Sequence, residues 1–306
     1  MSIKRFIDPQ FDLFIHSITD LPLRDQRETM ERPFFSLSKR KRLAPISYES
    51  TDGTIWVKVQ PHQDFGMATI WDADVLIWAV SVIIDMQNRG SNDIPRTLHF
   101  HPYDLLRAIN RDTGGADYEL LKGALARLQA TIIRTNIRAK GKKKFRQFSW
   151  LESWEDLVDE TTGQSKGMSL TLSEWLYEGI LMKGGVLAIS PEYFTITGGR
   201  ERWLYRVARK HAGGHTGEGF SIPLPTLYAK SGAEGTYRKF KFSIKRIAEA
   251  DALPEFHLQW EEREGEEPAL RMIRRDCLSL DHPGYAVPKR RLRHVAPETP
   301  PFLISR

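Results

Sequence analysis

Residues 235–254, GTYRKFKFSIKRIAEADALP, constrain the fold of this chain more than any other stretch. At 3.6 residues per turn the apolar residues fall on one face: Phe240, Ile244, Ile247 and Ala248. Thr236 is placed to cap the start of a helix, and the Leu-Pro pair at 253–254 is a stop signal. The stretch therefore predicts an amphipathic helix that buries one side in a core.

The faces turned away from that core are cationic. The first turns carry basic residues and no carboxylate, and Glu249 and Asp251 come only near the end. Lys and Arg neutralise phosphates, and Arg also reads guanine edges, so the pattern favours a helix in a DNA major groove. A solvated surface helix is the alternative. The side chains predicted to contact DNA are Tyr237, Arg238, Lys239, Lys241, Lys245 and Arg246, with Phe242 on the same side.

The segments around this helix follow the order of a winged helix. A helix over residues 200–211, a strand at 220–222 and a helix at 225–230 precede it, and a hairpin around the acidic turn 264–267 follows it. The acidic turn is not expected to touch DNA. The helix at 200–211 is predicted to turn Leu204, Val207 and Ala208 inward and its basic residues outward. Those basic residues are Arg202, Arg206, Arg209 and Lys210, and the last three are predicted DNA contacts.

The first half of the chain predicts the same order. A helix over 69–89 that is apolar nearly all round precedes a strand at 96–100 and helices at 103–109 and 117–129. Strands at 131–139 and 145–150 then flank a lysine-rich turn, which is the predicted wing, and the acidic residues 155–167 are predicted to be a loop. The predicted DNA contacts are Tyr118, Lys122 and Arg127 on the third helix and Arg134, Lys140, Lys142, Lys143, Lys144 and Arg146 around the turn.

Length and composition bound the possibilities further. A chain of 306 residues fits two domains, predicted at 1–190 and 191–281 with a basic, proline-rich flexible tail at 282–306. The predicted fold class is α+β with two tandem winged-helix domains. The net charge of +6 suits a polyanionic partner. A single cysteine predicts a reducing cytoplasm, and the apolar run 75–84 is too short for a membrane span.

Catalytic patterns are weak in this sequence. His99-Phe100-His101 matches the metal-binding triplet of rolling-circle nickases, and Tyr103, Tyr118 and Tyr237 are candidate nucleophiles. However, the triplet falls where a winged helix needs its small strand, and His101 precedes a proline at a helix start. We therefore predict no catalytic residue, metal or cofactor, and keep a metal-dependent nickase as an alternative.

Several phrases of the sequence resemble the replication initiator protein A family of plasmid initiators over residues 28–262. These phrases are FSLSK at 35–39, ATIWD at 68–72, FSWL at 148–151, RKH at 209–211, and LY at 227–228 with SG at 231–232. The resemblance implies binding of repeated double-stranded DNA sequences (iterons) at a plasmid origin and opening of the duplex.

The resemblance also implies partners and regulation. It implies recruitment of the host initiator DnaA and the replicative helicase, and dimers that repress their own gene. A homodimer would form through the N-terminal domain, where the apolar helix 69–89 fits either a core or a dimer interface. A plain transcription repressor is a further alternative, because it would use the same binding surface.

Overall fold

The computed structural model describes residues 21–139, 145–158, 160–161, 165–214 and 217–287. Helices and small sheets alternate along these ranges, so the protein has a mixed helix-and-sheet fold. The helices are α1 Ala73–Asn88, α2 Pro102–Ala108, α3 Gly115–Ala130, α4 Glu174–Leu181, α5 Gly199–His211, α6 Leu224–Ser231 and α7 Tyr237–Ala250. The strands are β1 Arg24–Gln26, β2 Ile46–Glu49, β3 Trp56–Gln60, β4 Thr97–Phe100, β5 Ile132–Thr135, β6 Arg146–Phe148, β7 Leu151–Val158, β8 Ser165–Leu172, β9 Val186–Ala188, β10 Phe220–Pro223, β11 Phe256–Glu261 and β12 Ala269–Arg274.

Two three-stranded sheets share one topology. In the second half the strand order is β10-β12-β11, and in the first half it is β4-β8-β7. In each case a strand is followed by two helices and later by a hairpin, whose last strand pairs with the leading strand. In the first half β5 and β6 lie between the second of these helices and the hairpin. The order helix, strand, helix, helix, hairpin predicted for residues 200–274 is confirmed.

The hairpin predicted as the first wing belongs to a different sheet. β5 and β6 extend a four-stranded sheet of order β2-β3-β5-β6, in which Ile133 and Thr135 pair with Val59 and Val57. Strands β7 and β8 form the hairpin of the three-stranded sheet instead, and their adjoining ends lie in the segment 155–167 predicted as a loop. The alternation of residues 168–172 predicts a strand there, which β8 confirms. Met168, Leu170 and Leu172 of β8 are buried, whereas Glu155, Leu157 and Val158 at the end of β7 are exposed. This end of β7 is a strand because it pairs with β8.

Two of the phrases quoted above meet in the core. Phe35 stacks on Trp150 with ring centroids 4.8 Å apart, and Phe148 stacks on Trp175 at 4.4 Å. Phe34 lies edge-on to Trp150 at 5.6 Å. The FSLSK and FSWL segments therefore carry packing residues, and aromatic pairs of this kind stabilise a core beyond the area that they bury.

Helix α1 is enclosed by its own chain. It begins at Ala73 with Asp72 as its N-cap residue, and Thr69 and Asp72 form the turn ahead of it. Trp78 and Ile77 are fully buried, as are most of the residues between Ala73 and Ile84. Of the two predicted roles of this helix, the structure shows the core.

The two halves of the chain are joined through buried charges on α5. Arg206 is 2% exposed and binds Asp25 of β1, with Nε and Oδ2 2.6 Å apart. Arg202 binds the fully buried Asp74 of α1, with Nη1 and Oδ1 also 2.6 Å apart. β1 in turn pairs with β9. The prediction that Arg202 and Arg206 face outward is therefore wrong. Both form buried ion pairs within the chain, since a buried charge needs a partner of opposite sign.

A third acidic residue, Glu31, binds three side chains from the second half. Its carboxylate lies 2.6 Å from Lys210 Nζ, 2.6 Å from Lys230 Nζ and 2.8 Å from His211 Nε2. Burial alone would raise the pKa of Glu31, but the hydrogen bond from His211 and the charges of Lys210 and Arg32 hold it far below its ordinary value. These contacts cross residue 190, where the domain boundary is predicted.

The predicted tail begins as part of the fold. Arg275 donates hydrogen bonds to the carbonyl oxygens of Gly284 and Ala286, and the His282 ring lies 5.1 Å from that of His257. Residues up to 287 thus pack on the second half, and the basic run at 289–293 lies outside the described residues. Among the helices in the described ranges, none has the length and apolar character to cross a bilayer.

Candidate nucleic-acid interface

Helix α7 is positioned by a tight turn and by its buried face. Gly232 ends α6 in the left-handed region at φ +57°, where an added Cβ would lie 2.6 Å from Pro33 Cβ. The Thr236 hydroxyl then accepts a hydrogen bond from the Lys239 amide and caps α7. Phe240, Ile244 and Ala248 are buried, as predicted. The cap sets where α7 begins and the apolar stripe sets which side is buried. Together they determine which residues of α7 lie on the opposite face.

That opposite face is exposed and cationic. Arg238, Lys239, Lys245 and Arg246 are all exposed. Phe242 lies among them with 65% of its surface in solvent, and the Arg246 guanidinium lies 6.0 Å from its ring centroid. Tyr237 and Lys241 are half-buried at the edge of the face. The arrangement offers a polyanion several donors on one side of one helix.

The acidic hairpin β11–β12 binds the edge of the same helix. Glu267 lies 2.8 Å from Lys241 Nζ and accepts a hydrogen bond from the Tyr237 hydroxyl at 2.8 Å. Glu262 lies 3.5 Å from Lys245 Nζ, which also lies 5.5 Å from the Trp260 ring centroid. The hydrogen bonds from Lys241 and Tyr237 hold the pKa of Glu267 below its ordinary value, so it is ionised at neutral pH. Both lysines keep substantial exposure, and exposed pairs of this kind are weak.

The cations predicted on α3 have partners within the chain. Lys122 lies 3.0 Å from Asp156 of β7 and 3.4 Å from Glu119. Arg127 forms a bidentate pair with Asp72 at 2.8 and 2.7 Å. Tyr118 is half-buried against the core. All three residues thus lie on α3, but carboxylates of the same chain compensate the charges of Lys122 and Arg127.

The remaining predicted contacts are dispersed. Arg134 lies over the Phe145 ring at 4.5 Å, and Arg146 lies 3.2 Å from Glu174 and 3.3 Å from Glu178. Arg209 donates to the Ala188 carbonyl at 2.6 Å, and Lys210 binds Glu31 as described above. Arg206 is buried, which removes it from any surface. Lys140, Lys142, Lys143 and Lys144 lie outside the described residues.

The histidine triplet of the nickase alternative has a structural use. His101 Nδ1 accepts the Tyr103 amide at 3.3 Å and caps α2, so this ring nitrogen is engaged with the backbone. His99 is exposed on β4, paired in register with Ser169. In the described part of the chain no group of three or more His, Cys, Asp or Glu side chains is arranged to hold a metal ion.

Comparison with known proteins decides the family. The family model described as replication initiator protein A matches residues 24–258, which is well over half of the chain. The chain belongs to the replication initiator protein A family. A "Putative replication protein" of Wigglesworthia glossinidia brevipalpis is 35% identical over 239 residues, covering 78% of this chain and 84% of that protein. A role in replication initiation follows from this membership.

Two solved structures share the fold of this initiator. Crystal structures of domains 2 and 3 of RctB superpose with TM-scores of 0.56 and 0.51 at 13% and 14% identity. They cover 80% and 79% of this chain, and 96% and 95% of their own length. At such low identity the likeness concerns the fold.

Sequence reasoning missed three features of the interface of this initiator. Phe242 is predicted on the outer face, as an aromatic residue within the basic surface, but it is not among the predicted DNA contacts. The acidic turn at 264–267 is expected only to avoid DNA, and the contacts of Glu267 and of the preceding Glu262 with α7 are not predicted. Arg200 of α5 donates to Ser243 of α7 at 3.3 Å and adds a cation beside the helix. The contact between Arg200 and Ser243 could not be predicted from their spacing along the chain.

The acidic hairpin gives a first prediction for this initiator. We expect Glu262→Gln combined with Glu267→Gln to tighten binding to any duplex by about three- to tenfold, because Lys241 and Lys245 lose their internal counter-charges. Fluorescence anisotropy with a random-sequence duplex at several salt concentrations measures this. Glu264→Gln, combined with Glu266→Gln, removes the same charge from the same turn and should change affinity less. Equal effects of the two pairs would mean that only net charge matters.

Proposed function

We propose that this protein starts plasmid replication by binding repeated double-stranded sequences at the origin, with α7 in a major groove. The observation that carries the proposal is the exposed face of α7, on which Arg238, Lys239, Lys245 and Arg246 surround one aromatic ring. Arginine and lysine on a helix that follows another helix through a tight turn are suited to groove binding. Family membership supports the origin as the target.

The topology supports two tandem winged helices. In this assignment α5, α6 and α7 with the sheet β10-β12-β11 form the second, and α1, α2 and α3 with the sheet β4-β8-β7 form the first. The wings are then the hairpins β11–β12 and β7–β8. The lysine-rich turn between β5 and β6 is not a wing in this assignment, and its proposed phosphate contacts rest on the sequence alone.

The first half is proposed to support binding rather than to read bases. The two α3 cations are compensated by Asp156 and Asp72, so the gain from placing them on phosphates is offset by broken ion pairs. We therefore assign sequence reading to α7. Backbone contacts are assigned to the first half, with Arg134 of β5 as the candidate, because Arg146 is compensated by Glu174 and Glu178.

We also propose that this protein acts by binding, without forming a covalent bond to DNA. The engagement of His101 with the start of α2 supports this. The further steps that the family implies are proposals of the same kind: origin opening, recruitment of DnaA and the replicative helicase, homodimer formation and repression of its own gene.

Supercoiled origin DNA incubated with the protein and Mg²⁺ or Mn²⁺ should remain unnicked and free of covalently attached protein.

The decisive test is binding of α7 to origin DNA. Footprinting on DNA flanking the gene would first locate the protected repeats. Arg238→Ala combined with Arg246→Ala should then weaken binding to a protected duplex about 10- to 100-fold. If both residues contact phosphates, the slope of log affinity against log salt should fall by about 1.8, because each contact contributes about 0.9.

A matched control separates this from a change in net charge. Arg89→Ala combined with Lys183→Ala also removes two exposed cations, from the first half of the chain, and should leave the affinity within about twofold. Unchanged affinity and unchanged salt slope in the α7 variant would remove α7 from the interface and contradict the proposal.

A further inference from the structure

Phe242 is an apolar side chain on a surface that is otherwise charged. Its ring is 65% exposed, although α7 already buries Phe240, Ile244 and Ala248 against the core. The fold therefore does not use this ring for packing. Covering this large aromatic ring with a binding partner would recover free energy, because it would remove apolar surface from water.

The neighbours of Phe242 restrict the chemistry of that partner. The positions three and four residues before and after it lie on the same helical face and are basic and exposed: Arg238, Lys239, Lys245 and Arg246. Within α7 the one carboxylate is Glu249, in the last turn, and from outside the helix Glu262 lies 3.5 Å from Lys245 Nζ at one edge of the face. A second copy of the same face would be repelled, because it would bring like charges together. A partner must be anionic around its rim and apolar at its centre.

Duplex DNA offers this combination in its major groove. Phosphates line both rims, and each thymine places a 5-methyl group on the groove floor, where apolar side chains such as Phe contact it. RNA does not fit as well, because uracil lacks the methyl group and the A-form major groove is deep and narrow.

We propose that Phe242 contacts the 5-methyl group of one thymine in the target sequence and so determines specificity at that base pair. The inference rests on the proposed binding of α7 in a major groove. Under it, the cations on either side of the ring hold the phosphates or read neighbouring bases. The ring discriminates thymine from the other three bases by covering its methyl group.

The test replaces single thymines with deoxyuridine, which removes only the methyl group. Full-length protein is titrated by fluorescence anisotropy against duplexes that cover the protected DNA flanking the gene, each with one replacement. For the wild-type protein, one position should lose about fourfold in affinity, which is the effect of uncovering one methyl group. Phe242→Ala should bind the unmodified duplex more weakly and show no difference between thymine and deoxyuridine at that position. Its melting temperature should be unchanged because the ring is exposed.

Two results would overturn the inference. The first is equal wild-type affinity for every deoxyuridine duplex, even if Phe242→Ala binds weakly, because the ring would then act otherwise, for example as a wedge between base steps. The second is discrimination that survives in Phe242→Ala. The Arg238→Ala, Arg246→Ala variant distinguishes the failures. If this double variant loses affinity for DNA while the wild-type protein binds every deoxyuridine duplex equally well, only the inference about Phe242 is contradicted. If the double variant binds DNA like wild type, the proposed binding of α7 is contradicted.

Discussion

Asp25→Ala is expected to lower the free energy of unfolding by about 3–5 kcal/mol, the cost of removing one partner of a buried ion pair. Arg206 would lose both of its hydrogen bonds to the Asp25 carboxylate, at 2.6 and 3.0 Å, and would keep only the Thr29 hydroxyl at 2.8 Å. The guanidinium is 2% exposed, so water cannot replace the lost acceptors without opening the contact between β1 and α5. Urea denaturation at neutral pH measures the loss.

Two further variants show whether the cost arises from the buried charge. Asp25→Leu combined with Arg206→Met should recover at least half of the loss, since a buried pair replaced by apolar groups of similar volume is often neutral. Asp85→Ala removes the exposed pair with Arg89 at 2.7 Å on α1 and should cost no more than about 0.5 kcal/mol. If Asp25→Ala costs as little as Asp85→Ala, Arg206 is not held by this pair.

Glu31→Gln is expected to have the second largest effect, about 2–4 kcal/mol at neutral pH. The carboxylate is 5% exposed and binds Lys210, His211 and Lys230, so its neutralisation leaves several positive groups together in a poorly hydrated site. Denaturation of the wild type and the variant at the same pH measures the difference.

This difference should depend on pH in a defined direction. The pKa of Glu31 is far below its ordinary value of 4.5 in the folded chain, because the hydrogen bond from His211 and the charges of Lys210 and Arg32 outweigh the opposing effect of burial. A lowered folded pKa stabilises the fold fully above the unfolded value and less as the pH falls below it. The advantage of wild type over Glu31→Gln should therefore be present at neutral pH and shrink as the pH falls below about 4.5. A difference that stays constant down to pH 3 would contradict the assignment.

The second half of the fold was predictable because its signals are local. Phe240 and Ile244 recur at helical spacing, Thr236 caps the helix and Gly232 ends the one before it, so both ends and the buried face of α7 could be read from residues 232–254. The exposure of Arg238 and Arg246 followed from the same periodicity.

The buried ion pairs formed by α5 were not predictable from local signals. Arg202 and Arg206 were placed outside because charged side chains are seldom buried, and their partners Asp74 and Asp25 lie 128 and 181 positions away. One local signal existed: Trp203 and Tyr205 leave α5 apolar on several sides, which is typical of an enclosed helix.

The strand pairing of the first half was missed for a related reason. The segment 155–167 is acidic and rich in turn residues, and β7 buries little of itself. Its assignment as a strand depends on its register against Met168 and Leu170 of β8, and on the pairing of β8 with β4. Such long-range pairing cannot be read from the period of a single segment.

The two sheets of matching order carry unlike third helices: the α3 cations pair with carboxylates of the chain, whereas Arg238, Lys239 and Arg246 of α7 face solvent. Under the proposed function, a single chain built this way has no rotational symmetry to impose on its DNA target, so the sequence that it would recognise need not be a palindrome. Each bound copy would have a polarity set by the DNA strand, and neighbouring copies on an array of sites would point head to tail.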